Sequence, residues 1–177
     1  MPPTRTVEYL RLFVNPRDRA RGVLRAGGIV APAAIGARSL TRFPREGDKA
    51  TPAGAFMLMH VLYRPDRVQR PRTSLPVSPL HPRDGWCDEP HAALYNRPVH
   101  HPTRLSAEEL WRTDHLYDII VVINFNIHPR QQGRGSAIFF HIARPDFSPT
   151  LGCVAIALPH MQRVLALCGP RTRLVTA

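Results

Sequence analysis

The chain has 177 residues, 44% of them hydrophobic, with 24 lysines and arginines against 13 aspartates and glutamates, a formal charge of +11. That length favours one domain, 1–177, with room for a real core. No apolar run approaches the roughly 20 residues of a membrane span, Cys87, Cys153 and Cys168 cannot all pair, and no Cys or His doublet stands at zinc-ligand spacing, which argues against a membrane-spanning chain, a disulfide scaffold and a zinc module.

The N-terminal stretch MPPTRTVEYL shows no apolar h-region and no cleavage site, so no signal peptide is expected there. Val7 to Val14 (VEYLRLFV) predicts a strand, ended by Asn15-Pro16. Gly22 to Ile35 predicts two short strands about a turn at Gly27-Gly28. Thr41 to Gly54 (TRFPREGDKATPAG) is dense in turn formers and predicts a polar loop, and Ala55 to Tyr63 (AFMLMHVLY) predicts a strand. Arg64 to His101 has no clear periodicity and many prolines, which predicts a long functional insertion, placed at about 64–104.

Ser106 and Glu109 form a capping box, and Leu105 can staple onto Leu110, which predicts a short helix ending before Tyr117. Tyr117 to Phe125 (YDIIVVINF) is a continuous apolar run and predicts a buried strand. Pro129 to Gly135 predicts a turn. In the strand expected over Ile138 to Ile142, alternation puts Ala137, Phe139 and His141 on one face and Ile138, Phe140 and Ile142 on the other. A strand is expected over Val154 to Leu158. Pro159 then opens a helix whose Met161, Val164, Leu165 and Cys168 form an apolar stripe, with Gly169 as its C-cap, and Thr172 to Thr176 predicts a last strand. The 19 prolines and 11 glycines agree with a loop-rich, mainly β fold with two short helices and two packed sheets.

The positive charge is almost all arginine, with Lys49 the one lysine. It favours an anionic partner, yet the arginines scatter from Arg5 to Arg173 without a dense run, so no nucleic-acid surface can be read from them. The chemistry gathers in Ser136 to Leu158 (SAIFFHIARPDFSPTLGCVAIAL). His141 ends one apolar run, and Cys153 follows after eleven intervening residues, just before the next. A thiol becomes a strong nucleophile through a base or an electropositive neighbour, and histidine is the usual base. Gly152 permits a sharp turn that can expose the sulfur, and the N–H groups of Gly152 and Cys153 could receive an oxyanion. A buried structural cysteine and a satisfied core histidine are the competing readings. His128 and His160 are rival bases, Thr150 and Ser148 could donate a hydroxyl, and Asp146 could orient His141 or simply face solvent. Cys168 belongs to the helix stripe, and Cys87 sits in a polar loop with no histidine placed as its partner.

His141, the loop, and Thr150-Leu151-Gly152-Cys153-Val154 resemble the signature of the L,D-transpeptidases with the YkuD-type catalytic domain. The stretch Gly47 to Phe56, with Thr51-Pro52-Ala53-Gly54-Ala55-Phe56, is similar to that family's T-P-x-G-x-F strand entry, and the final helix and strand match its ending. The resemblance spans Val7 to the C-terminus and implies a YkuD-like β-sandwich with the insertion over the active site. Many family members carry histidine where this chain has Leu151, and Arg or Asn where it has Ala155. The loop between His141 and Cys153 is also shorter than common, which points to a divergent proteobacterial subgroup.

The resemblance implies a two-step acyl transfer between peptidoglycan stem peptides, one the donor and one the acceptor. Cys153 is the implied nucleophile and His141 the implied acid and base, with Gly152, Thr150 and Leu151 shaping the oxyanion turn and no metal or cofactor. Arg83, Trp86, Tyr95 and Asn124 are candidate substrate-binding groups, being polar or aromatic residues in or beside the insertion. An L,D-carboxypeptidase and a non-catalytic binder of anionic polymer are the alternatives. The substrate implies a periplasmic or envelope location, and the chain is expected to act as a monomer.

Overall fold

The computed structural model describes residues 6–176, so the N-terminal reading rests partly on residues 1–5, outside that range. The strands at the start follow the expected order. β1 (Tyr9–Val14), β2 (Arg21–Ala26) and β3 (Ile29–Ala34) form an antiparallel meander, turning at Gly27 and Gly28, both at positive φ. The polar loop beyond them holds two short strands, β4 (Leu40–Thr41) and β5 (Thr51–Pro52), and leads into the long β6 (Gly54–Tyr63).

The insertion is more regular than its sequence suggests. It contains β7 (Val77–Pro79), β8 (Asp84–Cys87) and β9 (Pro98–His100). Beyond it come β10 (Ala107–Glu109), β11 (Ile119–Ile123), β12 (Phe139–Ile142), β13 (Val154–Ile156), α1 (Leu158–Leu165) and β14 (Arg173–Thr176).

Nine strands join in the order β11-β12-β13-β3-β2-β1-β14-β6-β7, and β11 also pairs with β6. That extra pairing closes the sheet into a barrel-like ring, with β7 as a spur on β6. The expected pair of stacked sheets is therefore corrected: one sheet curls and meets itself. β6 makes this possible because its ten residues pair with β14 through Gly54–Met57 and with β11 through Leu58–Tyr63. Closure removes two edges that would otherwise expose unpaired amides. The first and last strands, β1 and β14, are neighbours in the ring and pair in parallel.

The expected second helix is absent. Ala107–Glu109 pairs antiparallel with β8 in a separate three-stranded sheet, β10-β8-β9, with Glu108 opposite Trp86. A helix of about ten residues resting on one capping box is too short to be stable on its own, while pairing with β8 buries Leu110 in a tertiary core. Helix α1 forms as expected, with proline in its first turn and Met161, Val164 and Leu165 buried. It ends at Leu165 with Ala166 as cap, so Gly169 is not its C-cap; the Gly169 N–H instead donates to Thr172 Oγ1 at 2.9 Å.

Two hydrophobic cores lie on opposite faces of the same strands. The larger fills the ring with Leu10, Leu24, Val61, Phe140, Ile156 and the buried side of α1. The smaller lies between the outer face of β11 and β12 and the three-stranded sheet, with Trp86, Leu110, Tyr117, Ile120, Phe139 and Cys153. β11 sends Ile119, Val121 and Ile123 to the first core and Ile120 and Val122 to the second. Burial on both faces is why its sequence runs apolar without alternation.

Gly36 ties the loop before Cys153 to the Thr51-Pro52 segment. Its N–H donates to Thr51 Oγ1 at 2.8 Å, and its backbone bridges Thr150. A Cβ on Gly36 would stand 2.5 Å from the Lys49 carbonyl oxygen and 2.8 Å from the Thr51 nitrogen. Gly36→Ala is expected to lower stability by about 1–3 kcal/mol, as overpacking does. Urea denaturation measures this, and an unchanged midpoint would mean that the segment yields freely.

Candidate active site

The parallel pairing of β12 with β13 sets the site. Phe140 lies opposite Val154 and His141 opposite Ala155. One residue before β13, Cys153 therefore stands beside Phe139, and its sulfur accepts the Phe139 N–H at 3.3 Å. In a strand pair, positions two apart share a face, so Cys153 and His141 point to the same side. Both line one cavity of about 540 Å³ on the outer face of the ring.

Each group is held by local structure. The Cys153 S–H donates to the Ala137 carbonyl at 3.3 Å. Ala137, at φ 49°, gives its N–H to Asn96 Oδ1 at 3.1 Å, so the insertion fixes the wall behind the sulfur. His141 Nδ1 lies 2.9 Å from the Ile142 carbonyl oxygen. That oxygen can only accept, so Nδ1 carries the proton and Nε2 is the basic nitrogen. The Tyr117 ring meets the imidazole edge-on at 5.2 Å between centroids.

The turn before the sulfur is tightly braced. Thr150 Oγ1 donates to the Cys153 carbonyl at 2.7 Å and accepts the Gly152 N–H at 3.1 Å. Gly152 has φ 137°, and a Cβ there would meet Ile138 Cδ1 at 2.8 Å and the Ala50 carbonyl oxygen at 3.0 Å. Thr150 and Leu151 line the cavity, and Leu151 stands 76% exposed at its mouth.

Burial decides the resting charges. It pushes the Cys153 thiol up to about 12, with the Glu108 carboxylate adding to the rise and the Phe139 N–H opposing it. It pulls His141 down to about 4, partly offset by the Ile142 and Leu116 carbonyls. At neutral pH the site thus rests as neutral thiol and neutral imidazole.

Arg83, Trp86, Tyr95 and Asn124 do not line this cavity. Arg83 is exposed in the turn entering β8. Trp86 is buried, its Nε1–H donating to Asn96 Oδ1 at 2.8 Å and its ring packing on Phe139. Tyr95 is fully buried, donating to Glu46 and accepting the Gly135 N–H. Asn124 braces β6 by accepting the Met57 N–H at 2.8 Å. Their aromatic or polar character is used to hold the walls. The rival histidines His128 and His160, and Asp146, are also outside the lining, while Ser148 is within it.

Sequence reading missed Glu108, Tyr117 and Arg112, which line the cavity opposite the turn. Tyr117 donates to Glu108 Oε1 at 2.6 Å, and Arg112 lies over the Tyr117 ring at 5.2 Å while pairing with Asp114 at 2.7 Å. Two arginines clamp the segment that carries them: Arg64 donates to the Arg112 carbonyl at 2.6 Å and stacks on Trp111, and Arg67 donates to the Asp114 carbonyl at 2.6 Å. The helix expected at Ser106 hid Glu108, and nothing in the linear order ties Arg64 to Arg112. Among the described residues no three His, Cys, Asp or Glu side chains group as a metal would require, and no helix is long and apolar enough to cross a membrane.

Residues 10–176 match the family model of the YkuD L,D-transpeptidase catalytic domain. The match covers almost the whole chain, and the protein belongs to this family. Comparison with curated proteins and with solved structures found no match for the chain.

The neutral resting pair has a direct consequence for alkylation. Iodoacetamide should label Cys153 slowly at pH 7, with a rate that climbs steadily through about pH 9 as thiolate accumulates. Peptide mapping after timed labelling reads this out. Fast labelling that is flat from about pH 5 upward would mean a standing thiolate–imidazolium pair instead.

Proposed function

We propose that the protein is a peptidoglycan L,D-transpeptidase in which Cys153 is the nucleophile and His141 the general base and acid. The observation that carries this reading is the placement of both side chains on one face of two adjacent parallel strands, at one cavity. Family membership supports the reaction class.

In the first step Cys153 attacks the amide that follows the L-centre of a diaminopimelate residue in the donor stem. His141 Nε2 takes the thiol proton and delivers it to the leaving amine, so a thioester forms and the terminal residue departs. The oxyanion lies at the turn, where the Gly152 N–H would exchange the Thr150 hydroxyl for the substrate oxygen. In the second step an amine of the acceptor stem attacks the thioester and forms the cross-link. Arg45, Lys49 and Arg144, at the exposed edge of the cavity, suit the carboxylates that the stems carry. That chemistry belongs outside the inner membrane, in the periplasm or cell envelope.

Cys153→Ala should abolish cross-linking, and His141→Gln should lower its rate by about 100-fold or more, the usual worth of a positioned base. Muropeptide profiles of sacculi from cells expressing each form provide the measurement. Dimers unchanged by Cys153→Ala would end the proposal, and trimmed monomers without dimers would assign the carboxypeptidase reaction.

A further inference from the structure

Glu108 stands where it hinders the first half of the proposed reaction. It lines the cavity, and its negative charge pushes the Cys153 thiol up. A carboxylate beside a nucleophile that must become anionic is a cost, so its placement calls for a positive partner. Arg112 does not supply one fully. Its guanidinium is 4.0 Å from Glu108 Oε1 and is committed to Asp114 through two hydrogen bonds at 2.7 and 2.8 Å. Tyr117 occupies Oε1, while Oε2 takes no hydrogen bond from the described residues.

The surroundings sharpen this. Asp88, two residues beyond the partner of Glu108 in the sheet, lies on the same face and lines the same cavity. Its buried Oδ1 has no hydrogen-bond partner among the described residues. This side of the cavity therefore presents two carboxylates with free oxygens, while Arg45, Lys49 and Arg144 lie along its exposed edge. If Glu108 served only to hold Tyr117, a neutral amide would do so without opposing the thiolate.

We infer that Glu108 is the catalytic residue for the acceptor: its carboxylate binds the acceptor ammonium and takes a proton from it. This rests on the transpeptidase reading above. The acceptor arrives as R–NH3+. One proton passes to Glu108, which frees the nitrogen lone pair. The nitrogen bonds to the thioester carbon, and the C–S bond breaks. A second proton leaves the nitrogen through His141 and reaches the departing sulfur. The products are an amide with one N–H, the Cys153 thiol and a protonated Glu108 that returns its proton to solvent. The thioester itself is neutral, so the anion no longer opposes any charge on sulfur once the first step is complete.

The test separates the two half-reactions in the full-length protein. A synthetic donor tetrapeptide stem is added, the acyl-enzyme is followed by intact mass, and either a diaminopimelate-containing tripeptide or hydroxylamine is supplied as acceptor. In Glu108→Gln, acylation should be as fast as in the parent protein or faster, while transfer to the cationic tripeptide should fall by about 100-fold and acyl-enzyme accumulate. Transfer to hydroxylamine, which is uncharged at neutral pH, should be unchanged, and Glu108→Asp should restore part of the tripeptide reaction. Acylation falling in step with transfer would assign Glu108 a merely structural role. Undiminished transfer to the tripeptide would overturn the inference directly. A wild-type protein that forms no acyl-enzyme at all would overturn the Cys153 reading, and this inference with it.

Discussion

The parallel contact between β12 and β13 fixes the site because neither strand can slip. β12 is buried on both faces, with Phe140 and Ile142 in the ring core and Phe139 in the outer core. A shift of one residue would exchange these faces and turn His141 into the apolar ring. The Phe139 N–H reaches the Cys153 sulfur, so the ladder itself points at the thiol just beyond the end of β13. Position along the sheet, and not any flexible loop, sets the relation of His141 to Cys153.

The same two-sided burial explains the electrostatics. Both groups are buried, so each prefers its neutral form: the thiol is pushed up and the imidazole down. The insertion adds the outer wall: Asn96 ties Trp86 to Ala137, and Tyr95 and Ser136 share the Glu46 carboxylate. Arg64, Arg67 and Arg112 serve this scaffold, while most of the other arginines are exposed. Arg64 is almost fully buried between Asp66, Trp111 and the Arg112 carbonyl.

Local pattern in the sequence located the strands of the ring, because alternation and short apolar runs depend on neighbours a few residues away. His141 was placed on the correct face by alternation alone, with Phe139 beside it. Ring closure was not legible, since it depends on β6 pairing with β14 and β11 along different stretches. Glu108 was hidden for a related reason: a local capping signal at Ser106 was overridden by pairing with β8, whose sequence lies some twenty residues earlier. Trp86 and Tyr95 were conspicuous residues in an irregular segment, but conspicuous aromatics there serve packing, as their burial and hydrogen bonds show.

One thiol of the three is the proposed nucleophile. Cys87 and Cys168 are as buried as Cys153, and neither lines the cavity. Incubation with a carbapenem, followed by digestion and mapping of the adduct by mass spectrometry, compares all three in one protein. A single acyl adduct on Cys153 is expected, lost in His141→Gln at short times. An adduct on Cys87 or Cys168, or none on any cysteine, would contradict it.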